Sequence, residues 1–447
     1  MRVKFWGTRG SIATPGPDTV RYGGNTSCVS MQTNDGACFI FDCGTGARAL
    51  GVDLMAHAAQ PGRPLSATIL LSHTHWDHIQ GFPFFAPLFV SGNQITVCGP
   101  EGSGGNLREV LSGQMEFTYF PVEIGQLPAT INFRELGEGT HEIGGARIIV
   151  QYLHHPAMTL GYRIEADGAS VVYLCDHEPF SETLWPDDAE SGPLETIVHD
   201  GDRRHAQFMA GAGLVIHDAQ YTPHEYPAKK NWGHSTYEYA VAMAAAAGVN
   251  HLVLTHHDPI HNDLLVDEIE RNARDYAKRI GCAVRICCAY EGLELTVEPY
   301  SVVQLAGAPS TAHPVRESLQ HSRILIVDDD PDIRALASLA LTRDGHVVTE
   351  ASSGQEALAL IEAAIPDLLV LDLLMPSMGG LDVLKILRAS AATASLPVVV
   401  LTVMDDEANT QDGFEFGATD YLTKPFSIPQ LAARVRACLA RSESGVT

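Results

Sequence analysis

The sequence predicts an α/β protein made of two folding units, and three observations carry that prediction. Across residues 2–299, short apolar strand candidates are separated by Gly- and Pro-rich loops, and most of them end at a polar or ionisable cluster. Residues 301–322 then turn to Ala, Gly, Pro, Ser and Thr without periodicity. From Arg323 onward, apolar strands alternate with helical stretches. A chain of 447 residues is also too long for one ordinary core.

In chain order, the first unit offers strands at Cys38 to Phe41, Ala67 to Leu71, Ile148 to Leu153, Val171 to Leu174, Leu214 to Ile216 and His251 to Thr255. Chemistry is thereby gathered at strand ends. Ser235 to Ala247 reads as a helix, with Ser235 as cap, an alanine-rich body and Gly248 as terminator. The linker follows over 301–322. The second unit, 323–447, has strands at Ile324 to Val327, Leu368 to Leu371 and Val398 to Leu401. Its first helix carries Pro331 in the opening turn and Gly345 just past the end, as a βα repeat requires, and the pattern predicts a parallel, doubly wound sheet.

Composition narrows the function classes. With 45% apolar and 19% charged residues the chain reads as globular, and no apolar run approaches the roughly 18–20 residues of a membrane span. The opening Met1 to Gly7 lacks the apolar core of a signal peptide, so a cytoplasmic location is expected. Nine cysteines without repeated spacing or a CxxC pair do not form a disulfide framework. The formal charge of −25, with no Lys/Arg cluster, disfavours a large nucleic acid as partner. A small anionic substrate held by metal ions stays compatible, because the ions supply positive charge locally.

The segment Ser72-His73-Thr74-His75-Trp76-Asp77-His78 places three imidazoles and a carboxylate within six positions directly after a strand. His73 and His75 can point one way while Asp77 and His78 turn toward a neighbouring point, which is ligand geometry for two adjacent ions. His155, Asp176 and His256 each follow a further strand. This HxHxDH pattern with later His, Asp and His resembles the metallo-β-lactamase superfamily, whose fold is an αββα sandwich. Phe41-Asp42-Cys43-Gly44-Thr45-Gly46, His155-Pro156, Gly161-Tyr162-Arg163-Ile164, Tyr173-Leu174-Cys175-Asp176, Ile216-His217-Asp218-Ala219, Gly233-His234-Ser235-Thr236 and Leu254-Thr255-His256 are similar to its ribonuclease Z and cyclic-nucleotide phosphodiesterase branch.

The resemblance implies that His73, His75 and His155 hold one metal, Asp77, His78 and His256 the other, and that Asp176 bridges them. Zn²⁺ suits the imidazole and carboxylate set best, with Mn²⁺ or Fe²⁺ as alternatives. His155 is preferred over the adjacent His154 because it precedes Pro156 as the branch requires. His234 takes the proton donor's position, and pairing with a carboxylate such as Asp77 is expected to keep it oriented. Asp218 is placed near the ligands as a supporting carboxylate, and His177, His217 and His257 as hydrogen-bonded bystanders. Arg9 is read either as a contact to a substrate phosphate or as a brace for its own loop. The tRNA-processing members of the branch carry a long RNA-gripping arm between the third histidine and the bridging aspartate. Here only 21 positions separate His155 from Asp176, which points to a small phosphodiester.

In the second unit, Asp328, Asp329 and Asp330 follow one strand and Asp372 another, so carboxylates collect at one sheet edge and call for a cation such as Mg²⁺. Asp328-Asp329, Asp372-Leu373-Leu374-Met375-Pro376, Leu401-Thr402 and Tyr421-Leu422-Thr423-Lys424-Pro425 resemble the receiver domains of response regulators, a flavodoxin-like (βα)5 fold. That likeness implies phosphate transfer to Asp372 from a sensor histidine kinase or phosphotransfer protein. It places Mg²⁺ on Asp328, Asp329, Asp372 and the Leu374 carbonyl, and makes Thr402, Tyr421 and Lys424 the switch residues. Asp330 is read as a helix cap.

Together these features predict a dinuclear phosphodiesterase acting on a cyclic nucleotide, dinucleotide or short oligonucleotide. Phosphorylation of the receiver would regulate it, directly or through homodimerisation. The rival expectations are a metal-dependent hydrolase of a non-phosphate ester, lactone or thioester, and a diiron redox or oxygen-sensing protein. The second would replace a histidine of the first motif with a carboxylate, whereas His75 is intact.

Overall fold

The computed structural model describes residues 1–57, 64–101, 106–186, 189–299, 322–343, 345–390, 392–403, 419–424, 431, 434–435 and 438–439. The predicted linker therefore lies, apart from Ser322, outside the described residues. The chain separates into two compact units, Met1–Gln304 and Leu305–Thr447.

In the first unit, the strands are β1 (Arg2–Gly7), β2 (Cys28–Gln32), β3 (Cys38–Phe41), β4 (Ser66–Leu70), β5 (Gln94–Pro100), β6 (Thr130–Leu136), β7 (Gly139–Ile143), β8 (Ala146–Tyr152), β9 (Leu160–Ala166), β10 (Ala169–Leu174), β11 (Leu214–Asp218), β12 (His251–Thr255), β13 (Arg285–Cys288) and β14 (Glu294–Thr296). They form two seven-stranded sheets, ordered β14-β1-β2-β3-β4-β5-β6 and β13-β12-β11-β10-β9-β8-β7. Helices α1 (Ala47–His57), α2 (Trp76–Ile79) and α3 (Leu107–Gly113) belong to the first half. Helices α4 (Asp200–Met209), α5 (Tyr237–Ala246) and α6 (Asp263–Arg279) belong to the second.

The alternation of side chains along a strand makes the layers. On β10, Val171 and Tyr173 join Phe5, Phe41, Tyr162 and Ile216 in a core drawn from both sheets. The intervening Val172 and Leu174 pack instead with Ala240, Met243, Val266 and Ile269 of α5 and α6. On the other sheet, Ile40, Ile69 and Val97 lie with Leu50 of α1 and Leu107 of α3. The result is the αββα sandwich expected. Each fully buried Phe or Leu of these cores contributes about 1.5–3 kcal/mol by leaving water, and Phe41 stacks on Tyr173 at 4.9 Å between ring centres.

The helix expected over Ser235–Ala247 runs from Tyr237 to Ala246, and its cap is Thr236, whose side chain accepts from the Tyr239 N–H. The Ser235 hydroxyl is already engaged with the His177 carbonyl, which leaves the next residue to cap. Gly248 ends the helix at φ +62° as expected.

The second unit contains β15 (Arg323–Val327), α7 (Pro331–Arg343), β16 (Val347–Ala351), α8 (Gly354–Ala363), β17 (Leu368–Asp372), α9 (Gly380–Ala389), β18 (Val398–Val403) and β19 (Asp420–Lys424). All pairings are parallel and the order is β16-β15-β17-β18-β19, the flavodoxin-like arrangement. Asp330 caps α7, with its carboxylate 3.4 Å from the Ile333 N–H.

Candidate metal centre

Four strand ends converge on one point of the sandwich. The loop after β4 brings His73 and His75, and α2 directly behind it brings Asp77 and His78; the β8–β9 loop brings His155; Asp176 follows the end of β10 and His256 the end of β12. Asp42, Asp176 and His256 take left-handed backbone angles of φ 55°, 61° and 63° where their strands stop. Such strain persists only where the surroundings fix it, and it re-aims these side chains across the sheet ends.

The Asp176 carboxylate faces two groups. Its Oδ2 lies 3.6 Å from His73 Nε2 and 3.8 Å from His155 Nε2, and His155 Nε2 is 3.3 Å from His75 Nδ1. Its Oδ1 lies 3.2 Å from both His78 Nε2 and His256 Nε2, each of which is also 3.2 Å from Asp77 Oδ2. Ligands around a tetrahedral ion at about 2.0–2.1 Å stand about 3.3–3.4 Å apart, so both groups have the edge lengths of a coordination shell. The buried His73 Nε2, His78 Nε2 and Asp176 Oδ1 have no hydrogen-bond partner among the described residues, a costly state for atoms inside a protein unless a cation meets them.

The far side of three of these rings is held by a hydrogen bond. His78 Nδ1 donates to Asp42 Oδ2 at 2.8 Å, and that carboxylate is itself fixed by Ser72 and by the Tyr173 hydroxyl at 2.7 Å. His155 Nδ1 donates to the Gly233 carbonyl at 3.0 Å and His256 Nδ1 to Gln220 Oε1 at 2.8 Å. These bonds fix the ring orientations that turn Nε2 toward the centre. Burial holds His73 well below its ordinary pKa, with His78 adding to the effect, and holds His155 at about 3. Burial would raise the Asp77 and Asp176 carboxyls, but the surrounding imidazoles, His78 before Asp77 and His256 before Asp176, bring both well below the usual range. Burial would lower His78 as well, but Asp77, Asp176 and Asp42 raise it well above its ordinary value. The ionised carboxylates and the neutral His73 and His155 are thus in the protonation states that bind metal, while His78 would release a proton to an incoming ion.

His234 stands beside the Asp176 side of the centre, 4.0 Å from that carboxylate, but its Nδ1 donates to Asp218 Oδ2 at 2.8 Å. Its partner is thus Asp218 and not Asp77, which is occupied by His78, His256 and the Ser11 N–H. The reason is local: Asp218 ends β11 immediately beneath the loop carrying His234, and the Gln220 and His177 amides fix its oxygens. Burial lowers the His234 pKa, yet Asp218, Asp176 and Asp77 outweigh it and leave the group at about 9. Ser11, Thr74, His75, Trp76, Asp77, Asp176 and His234 line a cavity of ≈ 440 Å³ open to solvent.

The remaining candidates separate cleanly. His154 Nδ1 donates to the Glu178 carbonyl and its ring stacks on Phe180, away from the centre. Arg9 is fully buried and braces the loop, donating to the Gly23, Asp258 and His261 carbonyls. His177 contacts the Tyr239 hydroxyl, His217 contacts His205, and His257 donates to the Ala289 carbonyl. Sequence reasoning assigned no role to Asp42, Gln220 or Glu178. Glu178 is buried and accepts from the Asn231 and Gly233 amides and the Tyr226 hydroxyl, so it fixes the loop that delivers His234. Nothing in local sequence distinguishes such residues from other polar ones. Gly233 does carry a signal: at φ +87°, any Cβ would sit 2.0 Å from His155 Nδ1.

In the second unit, Asp328, Asp329 and Asp372 have carboxylate oxygens within 4.8 Å of one another. Lys424 Nζ bridges Asp328 Oδ2 at 2.7 Å and Asp372 Oδ2 at 2.9 Å. Burial, with Asp328 adding to it, raises the Asp372 pKa against the opposing pull of Lys424. The Leu374 N–H donates to Asp372 Oδ1 at 3.3 Å. Thr402 lies on β18 and Tyr421 on β19, and their side chains fall outside the described residues.

Comparison with known proteins agrees with both halves. Residues 38–257 match the beta-lactamase superfamily domain and residues 324–436 the response regulator receiver domain. The DNA-binding dual master transcriptional regulator RpaA of Synechocystis sp. is 44% identical over 121 residues, which is 27% of this chain and 50% of that protein. The chain spans about half the length of the curated relatives it matches. Among solved structures, chemotaxis protein CheY4 of Vibrio cholerae is 32% identical, with 26% of this chain and 98% of that one covered at a TM-score of 0.26. The metallo-beta-lactamase fold protein YhfI of Bacillus subtilis is 18% identical, with 66% and 99% covered at a TM-score of 0.46. The chain is therefore a beta-lactamase superfamily domain joined to a response regulator receiver domain.

Proposed function

We propose that the first unit, residues 1–300, is a dinuclear metal phosphodiesterase for a small phosphodiester, and that phosphorylation of Asp372 in the unit 323–447 regulates it. The observation that carries the reading is the Asp176 carboxylate, one oxygen toward each of two imidazole groups, with His234 and its partner Asp218 alongside.

His73, His75 and His155 would hold one divalent ion and Asp77, His78 and His256 the other, with Asp176 shared. Such ions supply an activated water and neutralise charge on the phosphoryl oxygens. The chain's own residues do the rest. Asp42, Gln220 and the Gly233 carbonyl orient the ligand rings. Asp218 keeps the His234 Nδ1–H engaged, which turns Nε2–H outward as the proton source for the departing alkoxide. A carboxylate-paired imidazole at the centre favours a substrate whose leaving group needs a proton, as a phosphodiester does. The short interval between His155 and Asp176 and the charge of −25 support a cyclic nucleotide, dinucleotide or short oligonucleotide over folded RNA.

In the receiver, Asp328, Asp329 and Asp372 would hold Mg²⁺, with Asp372 as nucleophile toward a phosphoryl group from a histidine kinase or phosphotransfer protein. Lys424 would pair with the phosphoryl oxygens, as it pairs now with Asp372. A substrate panel tests the whole reading. Protein with two metals per chain that cleaves neither bis(p-nitrophenyl) phosphate nor any cyclic nucleotide, dinucleotide or short oligonucleotide would rule out the phosphodiesterase. Running the panel with and without beryllofluoride tests the regulation, since identical rates would rule that out.

A further inference from the structure

The loop that delivers His234 also delivers a cation. Lys229 Nζ lies 4.2 Å from the centre of the Trp232 ring and 5.9 Å from that of Tyr221, and it makes no ion pair among the described residues. Tyr221 in turn meets His234 edge-on, with ring centres 5.8 Å apart. Two ring contacts therefore separate this ammonium group from the proposed proton donor. The neighbouring Lys230 is paired with Glu182, so the two lysines are in different electrostatic states.

The loop is built to hold this position. Glu178 binds the Tyr226 hydroxyl and the Asn231 and Gly233 amides, which clamps both ends of the segment carrying Lys229 and Trp232. Trp232 is 58% exposed, so the indole beneath Lys229 is open to a ligand. In a chain with 54 acidic and 29 basic residues, a lysine without an ion pair among the described residues, on the loop that carries His234, is a specific positive feature. An ammonium over aromatic faces keeps its charge while losing side-chain freedom, so it is ready to meet an anion.

We propose that Lys229, seated on Trp232 and Tyr221, receives a second phosphate of the substrate on the side where His234 protonates the leaving group. The inference rests on the phosphodiesterase reading and sharpens its substrate class. Diesters carrying a further phosphate beside the scissile bond, such as phosphorylated dinucleotides or short oligonucleotides, are preferred over isolated cyclic mononucleotides. Trp232 offers a face to the base next to that phosphate.

The test uses binding, so it does not depend on turnover. Adenosine 3′,5′-bisphosphate and adenosine 5′-monophosphate are titrated calorimetrically into the metal-loaded full chain. Wild type should bind the bisphosphate about tenfold more tightly, Lys229→Gln should abolish the ratio, and Lys229→Arg should retain most of it. Equal affinities in wild type would overturn the proposal, as would Lys229→Gln weakening both ligands alike, the mark of a packing role. Failure of the substrate panel with these affinities intact would instead count against the phosphodiesterase.

Discussion

Replacing Asp218 by Asn tests the centre most sharply, because it removes a charge while nearly preserving shape. His234 rises from an ordinary 6.5 to about 9 against the effect of burial, which corresponds to about 3 kcal/mol favouring the protonated ring. Among the groups that raise it, Asp218 acts twice, through its charge and through the 2.8 Å hydrogen bond. Its loss should lower the His234 pKa by about one to two pH units. With His234 as the proton donor, activity needs it protonated and should fall as pH rises through that pKa. Two dications held at Asp176 would place the wild-type limb below 9. In Asp218→Asn the limb should move further down, and kcat on an alkyl-leaving phosphodiester should drop by about 10²-fold at neutral pH, within the usual contribution of a positioned acid. Bis(p-nitrophenyl) phosphate, whose leaving group needs little protonation, should lose less than about tenfold. The assay is kcat for both substrates from about pH 6 to 10. Equal losses on the two substrates, or an unmoved basic limb, would refute His234 as proton donor. In the metal-free protein the same pair links to folding. Its stabilisation is complete below pH 6.5 and is lost as pH rises through about 9, so the Tm gap between wild type and Asp218→Asn should close on the alkaline side.

Other expectations follow from single residues. Asp176→Asn keeps the shape of the shared carboxylate but halves its ligand capacity, so elemental analysis should find fewer than two metals per chain, with hydrolysis falling in parallel; two retained metals would contradict the bridge. Glu178→Gln trades a buried carboxylate holding three donors for a neutral amide, at a cost of about 2–3 kcal/mol. Its thermal unfolding should show that loss, and an unchanged melting curve would show the loop to be held by other contacts. Asp372→Asn should abolish labelling by acetyl phosphate, and labelling that persists would place the phosphoryl group elsewhere. The bisphosphate preference attributed to Lys229 completes the set.

Much of this protein was legible before any fold was known, and the reasons are local. The apolar runs of β10 and β17 announce buried strands, and Pro331 and Gly345 mark one helix because their backbone preferences act on neighbours. The dense histidine segment is conspicuous for the same reason, since few structural demands place three imidazoles in six positions. Interactions between residues far apart in sequence were not legible. Asp77 and Asp218 are both plausible partners for His234 by chemistry, and only the end of β11 lying under the His234 loop decides for Asp218. Arg9 has the right group for phosphate, yet burial against three carbonyls commits it to its loop. Ser235 and Thr236 are both good caps, and a tertiary bond to His177 removes one of them. The sequence by itself determined the two-unit α/β architecture and the supply of candidate ligands, because pattern and residue type act over a few positions. The tertiary structure decided which groups face one another, because hydrogen bonds and charge interactions act over a few ångströms whatever the separation along the chain.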